Sequence, residues 1–193
     1  EILSRESIAF DPLQIGWLPS LVAESKFEDG PTRARKMLKN HGILLISESQ
    51  IPGLAIDGAA FLIGSVPVIG MTIRKDSVDN FWYTLMHEVG HVILHYRTGL
   101  ATGFFDQSDT DSTDEQESEA DSFAANVLIP EERWRRSTAR IAKSADVIED
   151  FARALSIHPA IVFGRIRKER NNYALFSNKI GGNTVRVQLM EQT

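Results

Sequence analysis

The run Phe81-Trp-Tyr-Thr-Leu-Met-His87-Glu88-Val89-Gly90-His91-Val-Ile-Leu-His95 reads as a helix, and the rest of the chain is best understood outward from it. Its apolar residues, among them Phe81, Leu85, Val89, Val92 and Leu94, point nearly all round a 3.6-residue repeat, the pattern of a helix covered on several sides. Asp79 or Asn80 is placed to cap its start and Thr98-Gly99 to end it. Polar side chains are conspicuous in so apolar a segment. The chain has five histidines, and His87, His91 and His95 all fall here. Burying such groups without partners costs roughly 1–3 kcal/mol each. Positions i and i+4 share one face a turn apart, so His87 and His91 can present two imidazoles to one ion, with Glu88 beside them. Zinc at such a site activates water, and Glu88 is placed to take the water's proton as it attacks a carbonyl. Peptide hydrolysis needs this set of groups.

A catalytic zinc takes a third protein ligand and keeps a position open. The next helix, expected from about Asp114 to Leu128, carries Glu117, Ala120, Asp121, Ala124 and Leu128 on one face. The small alanines let that face approach the histidine helix. Glu117 is then the expected ligand, and Asp121, one turn on, can accept the other ring N–H of a ligating histidine. Glu119 points away from that face and is expected to be solvated.

Working outward, Asp29-Gly30-Pro31 starts a helix that Asn40 and Gly42 stop. Three strands follow, at Ile43 to Ser47, Gly58 to Ile63 and Val66 to Ile73, the last two joined at Gly64-Ser65. A polar loop is expected from Gly99 to about Thr113, further helices at Ala145 to Leu155 and Pro159 to Arg170, and a hairpin of Asn172 to Phe176 and Thr184 to Leu189 around Gly181-Gly182. The fold class is α+β: a small mixed β-sheet packed on a helical core, with C-terminal helices and a hairpin. Residues 1–29 lack sustained periodicity and read as an arm or linker from an upstream domain; residues 30–193 form the main domain. The chain opens on Glu1, and we expect it to be the later part of a longer polypeptide.

With 42% hydrophobic and 24% charged residues the 193-residue chain suits a folded domain. It has no cysteine, which excludes disulfides, a thiol nucleophile and any thiolate metal site. The longest apolar run, Ile51 to Met71, is interrupted by Asp57 and by several Gly and Pro residues, too broken for a membrane span. A cytoplasmic location is expected. The formal charge of −5 argues against a protein that coats nucleic acid.

The strings Phe81 to His95 and Glu117-Ser-Glu-Ala-Asp-Ser-Phe-Ala-Ala-Asn-Val-Leu-Ile-Pro130, in this order and spacing, resemble the ImmA/IrrE family of metallopeptidases over roughly residues 30–170. The resemblance implies a gluzincin (thermolysin-like) core with one Zn2+ on His87, His91 and Glu117 and with Glu88 as general base. It implies a zinc endopeptidase that cleaves a helix-turn-helix repressor to switch gene expression. The tail from Ile157 to Asn172-Tyr173 resembles a subgroup whose peptidase domain follows a Cro/repressor-type helix-turn-helix domain. The expected partners are thus a repressor as protein substrate, DNA through an upstream domain, and a second copy of the chain in a homodimer; no membrane is expected. The alternative is a non-proteolytic regulator or antitoxin-like protein with a structural or sensory metal. His95, Tyr83 and Tyr96 are the candidates for stabilising an oxyanion or lining the cleft, and His95 reads equally well as making a structural bond. The resemblance also suggests Val66 to Ile73 as the strand that pairs an extended substrate.

Two other signals carry less. Asp109 and Asp111 open like a calcium loop, but Asp114 stands where the turn glycine belongs and Ala120 where the bidentate glutamate belongs. Val147 to Lys168 has the outline of a DNA-binding helix-turn-helix, with basic residues at its end. Ile161, Val162 and Ile166 fill the would-be recognition helix with apolar side chains, as a packing helix does.

Overall fold

The computed structural model describes residues 9–48, 56–97, 100 and 110–190, with side chains from Glu115 onward in the last segment. Its elements are α1 (Leu18–Ala23), α2 (Gly30–Asn40), β1 (Leu44–Glu48), β2 (Gly58–Ile63), β3 (Val66–Thr72), α3 (Val78–Leu94), α4 (Thr110–Leu128), α5 (Glu131–Arg136), α6 (Ala145–Leu155), α7 (Pro159–Glu169) and α8 (Val185–Met190). The fold is α+β. Of the polar loop expected from Gly99 to Thr113, residues 99 and 101–109 lie outside the described residues, and α4 begins at Thr110.

The sheet has the order β1-β3-β2, with β1 parallel and β2 antiparallel to β3. Gly64, at φ +63, makes the tight turn between β2 and β3. The central β3 is almost continuously apolar, whereas β2, at the edge, alternates exposed Ala59, Phe61 and Ile63 with the buried Ala60. Ala60, Ile69 and Met71 share the core with Phe81, Leu85 and Val89 of α3. The helix α3 is covered on several sides, as its composition requires.

Helices α3 and α4 meet at Gly90, where an added Cβ would lie 3.1 Å from the Phe123 ring and 3.3 Å from Ala120 Cα. The alanines of α4 do allow the close approach. Helix α7 then pins both. Arg167 pairs with Asp79 in the first turn of α3 at 3.0 Å, and Lys168 pairs with Asp121 of α4 at 3.2 Å. Arg165 donates to the Ile129 carbonyl at 3.0 Å just past α4, and also binds Glu169 and Glu131. Cations at a helix C-terminus satisfy its unpaired carbonyls.

Several expectations change. Asp79 does not cap α3: Ser77 precedes the helix in extended backbone, and Asp79 lies inside it, turned to Arg167. Residues 18–26, expected to be irregular, form α1 and a short 3-10 turn, with Leu18, Leu21 and Val22 buried in the core. The sign was the i, i+3, i+4 spacing of those three residues, with Pro19 in the first turn, too short to register as periodicity. The expected C-terminal hairpin is absent. Val185, Val187 and Leu189 alternate like a strand, yet Val185 and Leu189 are buried while Val187 is 52% exposed, which is helical spacing. The Asp76 carboxylate accepts the Val185 and Arg186 N–H groups and so caps α8 from a distant loop. The helix-turn-helix outline is a packing unit. Ser156 ends α6 in the left-handed conformation, and His158 caps α7 by accepting the Ala160 N–H at 3.1 Å. Ile161, Val162 and Ile166 are buried, and two of the basic residues, Arg165 and Arg167, point inward.

Candidate active site

Helix α3 sets His87, Glu88 and His91 in one turn, and α4 brings Glu117 opposite. His87 Nε2 and His91 Nε2 stand 3.0 Å apart. Glu117 Oε2 is 3.2 Å from the first and Glu117 Oε1 3.3 Å from the second. Four-coordinate zinc with bonds of roughly 2.0–2.2 Å holds its donors about 3.3–3.6 Å apart, so this triangle fits the ion with a small expansion. Among the described residues, His87, His91 and Glu117 are the group of His and acidic side chains placed to hold a metal. Two imidazoles and one carboxylate is the donor set of a catalytic zinc, and it leaves a position open.

The ring nitrogens that face away are held too. His87 Nδ1 lies 3.0 Å from Asp121 Oδ1, and Asp121 Oδ2 takes the Lys168 ammonium. Burial works to raise the Asp121 carboxyl, but Lys168 and His87 hold it below the usual carboxylate range. Glu88 is 5% exposed, close behind Gly58 of β2. Burial, with the Glu117 charge beside it, pushes its carboxyl up to about 8, and the Ala60 N–H hydrogen bond opposes this. His91 is 3% exposed, and burial with His87 and His95 nearby pushes it down to about 4. A cleft of about 610 Å³ opens beside these groups, lined by Gly58, Tyr83, Thr84, His87, Glu88 and Asp121.

The three further candidates are not gathered at one point. Tyr83 lines the cleft, but its hydroxyl is buried with no hydrogen-bond partner among the described residues, and burial raises its pKa. Tyr96 donates to the Ser65 carbonyl at 2.9 Å and packs edge-on against Phe10, which ties it to the β2–β3 turn. His95 lies behind His91, with Nδ1 3.2 Å from His91 Nδ1. Glu119, expected to be solvated, reaches His95 Nε2 at 2.9 Å.

The family model of the IrrE N-terminal-like domain, a peptidase domain, matches residues 38–158, more than half of the chain. The chain belongs to the ImmA/IrrE peptidase family. The match spans the sheet and both helices of the donor group and ends ahead of α7 with its pinning cations. No curated protein matches the chain.

Gly58 is a residue of this ImmA/IrrE domain that motif reading passed over. A Cβ there would lie 2.6 Å from Glu88 Oε1 and 2.8 Å from Thr84 Cγ2. The signal was only a glycine at a strand start, which a turn also explains. Gly58→Ala is expected to displace the Glu88 carboxylate and lower kcat by on the order of 10- to 100-fold, with zinc affinity unchanged. A parallel loss of zinc in direct titration would count against this account.

The shifted groups also set a pH dependence for the chelator-treated ImmA/IrrE domain. Glu88 is raised from 4.5 to about 8, so its contribution to stability is fully present below 4.5 and is lost as pH rises through 8. His91 is lowered from 6.5 to about 4, so its contribution is fully present above 6.5 and is lost as pH falls through 4. Above pH 6.5 only the Glu88 slope remains. Thermal melts from pH 6.5 to 8 are expected to fall, by up to about 1.4 kcal/mol per pH unit, and Glu88→Gln to flatten them. A wild-type curve that is flat over this range counts against the burial assigned to Glu88.

Proposed function

We propose that the protein is a zinc-dependent endopeptidase that performs limited proteolysis of a helix-turn-helix transcriptional repressor. The observation that carries the peptidase reading is the convergence of His87 Nε2, His91 Nε2 and Glu117 within 3.3 Å, beside a buried Glu88 at the wall of a cleft. His87, His91 and Glu117 would hold the ion. Zinc bound there supplies a Lewis acid that polarises a scissile carbonyl and acidifies water. Glu88 takes the proton of the attacking water and returns it to the leaving amine. With the Glu117 charge engaged by an ion, Glu88 would lie closer to the carboxylate form that a base requires. Asp121 holds His87 in the tautomer whose Nε2 is free to ligate.

We assign the pairing of an extended substrate to β2. Val66 to Ile73, the strand that the resemblance suggests, cannot serve, because β3 is hydrogen-bonded on one side by β1 and on the other by β2 and has no edge to offer. β2 is an edge strand among the described residues, and its first residue lines the cleft. An extended peptide pairing there passes Glu88. The repressor as substrate, and DNA contact through an upstream helix-turn-helix domain, rest on the resemblance of the two motifs and of the tail from Ile157. Among the described residues no helix is long and apolar enough to cross a membrane, and we place the activity in the cytoplasm.

The test is incubation of the zinc-loaded protein with repressors encoded beside its gene. A single cut, abolished by a chelator and restored by zinc, is the expected result. Intact repressors under metal-loaded conditions would overturn the substrate, and a cut that persists after complete metal removal would overturn the mechanism.

A further inference from the structure

We infer that His95 and Glu119 are positioning residues that set the ligating tautomer of His91. This rests on the metal reading of His87, His91 and Glu117. His91 turns Nε2 toward His87 and Glu117, and with that nitrogen kept for the ion its proton belongs on Nδ1. The atom facing that proton is His95 Nδ1, at 3.2 Å. It must accept, which places the proton of a neutral His95 on Nε2. There the neighbour is Glu119 Oε2 at 2.9 Å, an acceptor. The reverse order fails: a proton on His95 Nδ1 would need the lone pair of His91 Nδ1, leaving the His91 proton on the nitrogen that ligates. With Nε2 of His91 kept for the ion, one arrangement satisfies the nitrogens behind it, with His91 Nδ1–H donating to His95 and His95 Nε2–H donating to Glu119.

Burial makes this arrangement matter. His95 is 4% exposed, so little water competes for either nitrogen. Both its nitrogens are engaged away from the cleft, which removes it as an oxyanion donor. The two ligating histidines are then braced differently from the same helix. His87 meets the Asp121 carboxylate directly, at 3.0 Å, whereas His91 meets Glu119 through an intervening imidazole. Ala120 sits against Gly90, and at 100 degrees per residue Glu119 and Asp121 flank it, so the two carboxylates reach round opposite sides of the contact. The Glu119 side chain itself is 54% exposed, so its truncation leaves the core untouched.

The test uses the whole protein with His95→Phe, which keeps a ring and removes the acceptor; His95→Gln, whose amide can accept and donate; and Glu119→Ala. Zinc affinity is measured by competition with a chromogenic chelator, and the His91 tautomer in chelator-treated protein by nitrogen-15 imidazole shifts. Expected are a loss of about 10- to 100-fold in zinc affinity for His95→Phe and Glu119→Ala, and recovery to within a few-fold for His95→Gln. Wild-type His91 should show the Nδ1–H tautomer, and Glu119→Ala a mixture. Wild-type affinity in both His95→Phe and Glu119→Ala overturns the inference, as does equal weakening by Phe and Gln, which indicates packing alone. If His95→Phe does not fold, Glu119→Ala decides. The tautomer readout needs no metal: a wild-type protein that binds no zinc would sink the metal reading, while an Nε2–H tautomer for His91 would sink this one.

Discussion

Glu88→Gln is expected to lower kcat by about 10²- to 10⁴-fold, the range that a positioned general base contributes, while the purified protein keeps its zinc. Gln has the shape of the native side chain and retains an oxygen to accept the Ala60 N–H, so the packing behind Gly58 is preserved. What it lacks is a site for the water's proton. The substitution also removes an ionisable group that burial disfavours in its charged form, so the variant should melt no lower than wild type near neutral pH. Kinetics on a cleaved repressor, metal analysis and melting on one preparation separate these effects. Unchanged turnover would assign the base elsewhere; loss of zinc with loss of turnover would make Glu88 part of the binding site.

Glu117→Ala has the second large effect, on the metal itself. Each Glu117 oxygen faces one of the two histidine nitrogens, so the truncation takes away one of three donors and the only negative charge among them. Partners outside the donor set are worth about 10- to 100-fold in metal affinity; a donor is worth more, so a loss beyond about 100-fold is expected. The carboxylate is half exposed, and the chelator-treated variant should melt like wild type. Dialysis followed by metal analysis reads the outcome. Full zinc occupancy in Glu117→Ala would mean that another group ligates, and Glu119 could do so only by leaving His95.

The donor group was legible because its chemistry is local on each helix. His87 and His91 are one turn apart, Glu117 and Asp121 likewise, and small residues at Gly90, Ala120 and Ala124 announce that the helices touch. The three strands, α2, α6 and α7 were legible from hydrophobic period and turn residues at their ends. What escaped depends on partners far along the chain. Asp76 caps α8, more than a hundred residues on, and without that cap Val185 to Leu189 reads equally well as strand. Glu119 lies off the Glu117 face by helical geometry, and only the placement of His95 shows why a long side chain there is engaged. The order β1-β3-β2, which decides which strand has a free edge, cannot be read from strand sequences alone. Arg165 and Arg167 looked like a basic surface because their acceptors, Ile129 O and Asp79, lie in other elements.

Those arginines bear on how a metal ion would be taken up. Helix α7 fastens the start of α3 through Asp79 and the end of α4 through Ile129, so the spacing of the two donor helices is set by contacts that do not involve the donors. Zinc fingers order their chains only as they load; here the two donor helices are fastened by guanidinium anchors outside the donor set, so little of the free energy of metal capture would go into ordering them. Uptake of an ion would then be a reversible exchange, controlled by the free metal concentration around the protein rather than by the protein's synthesis.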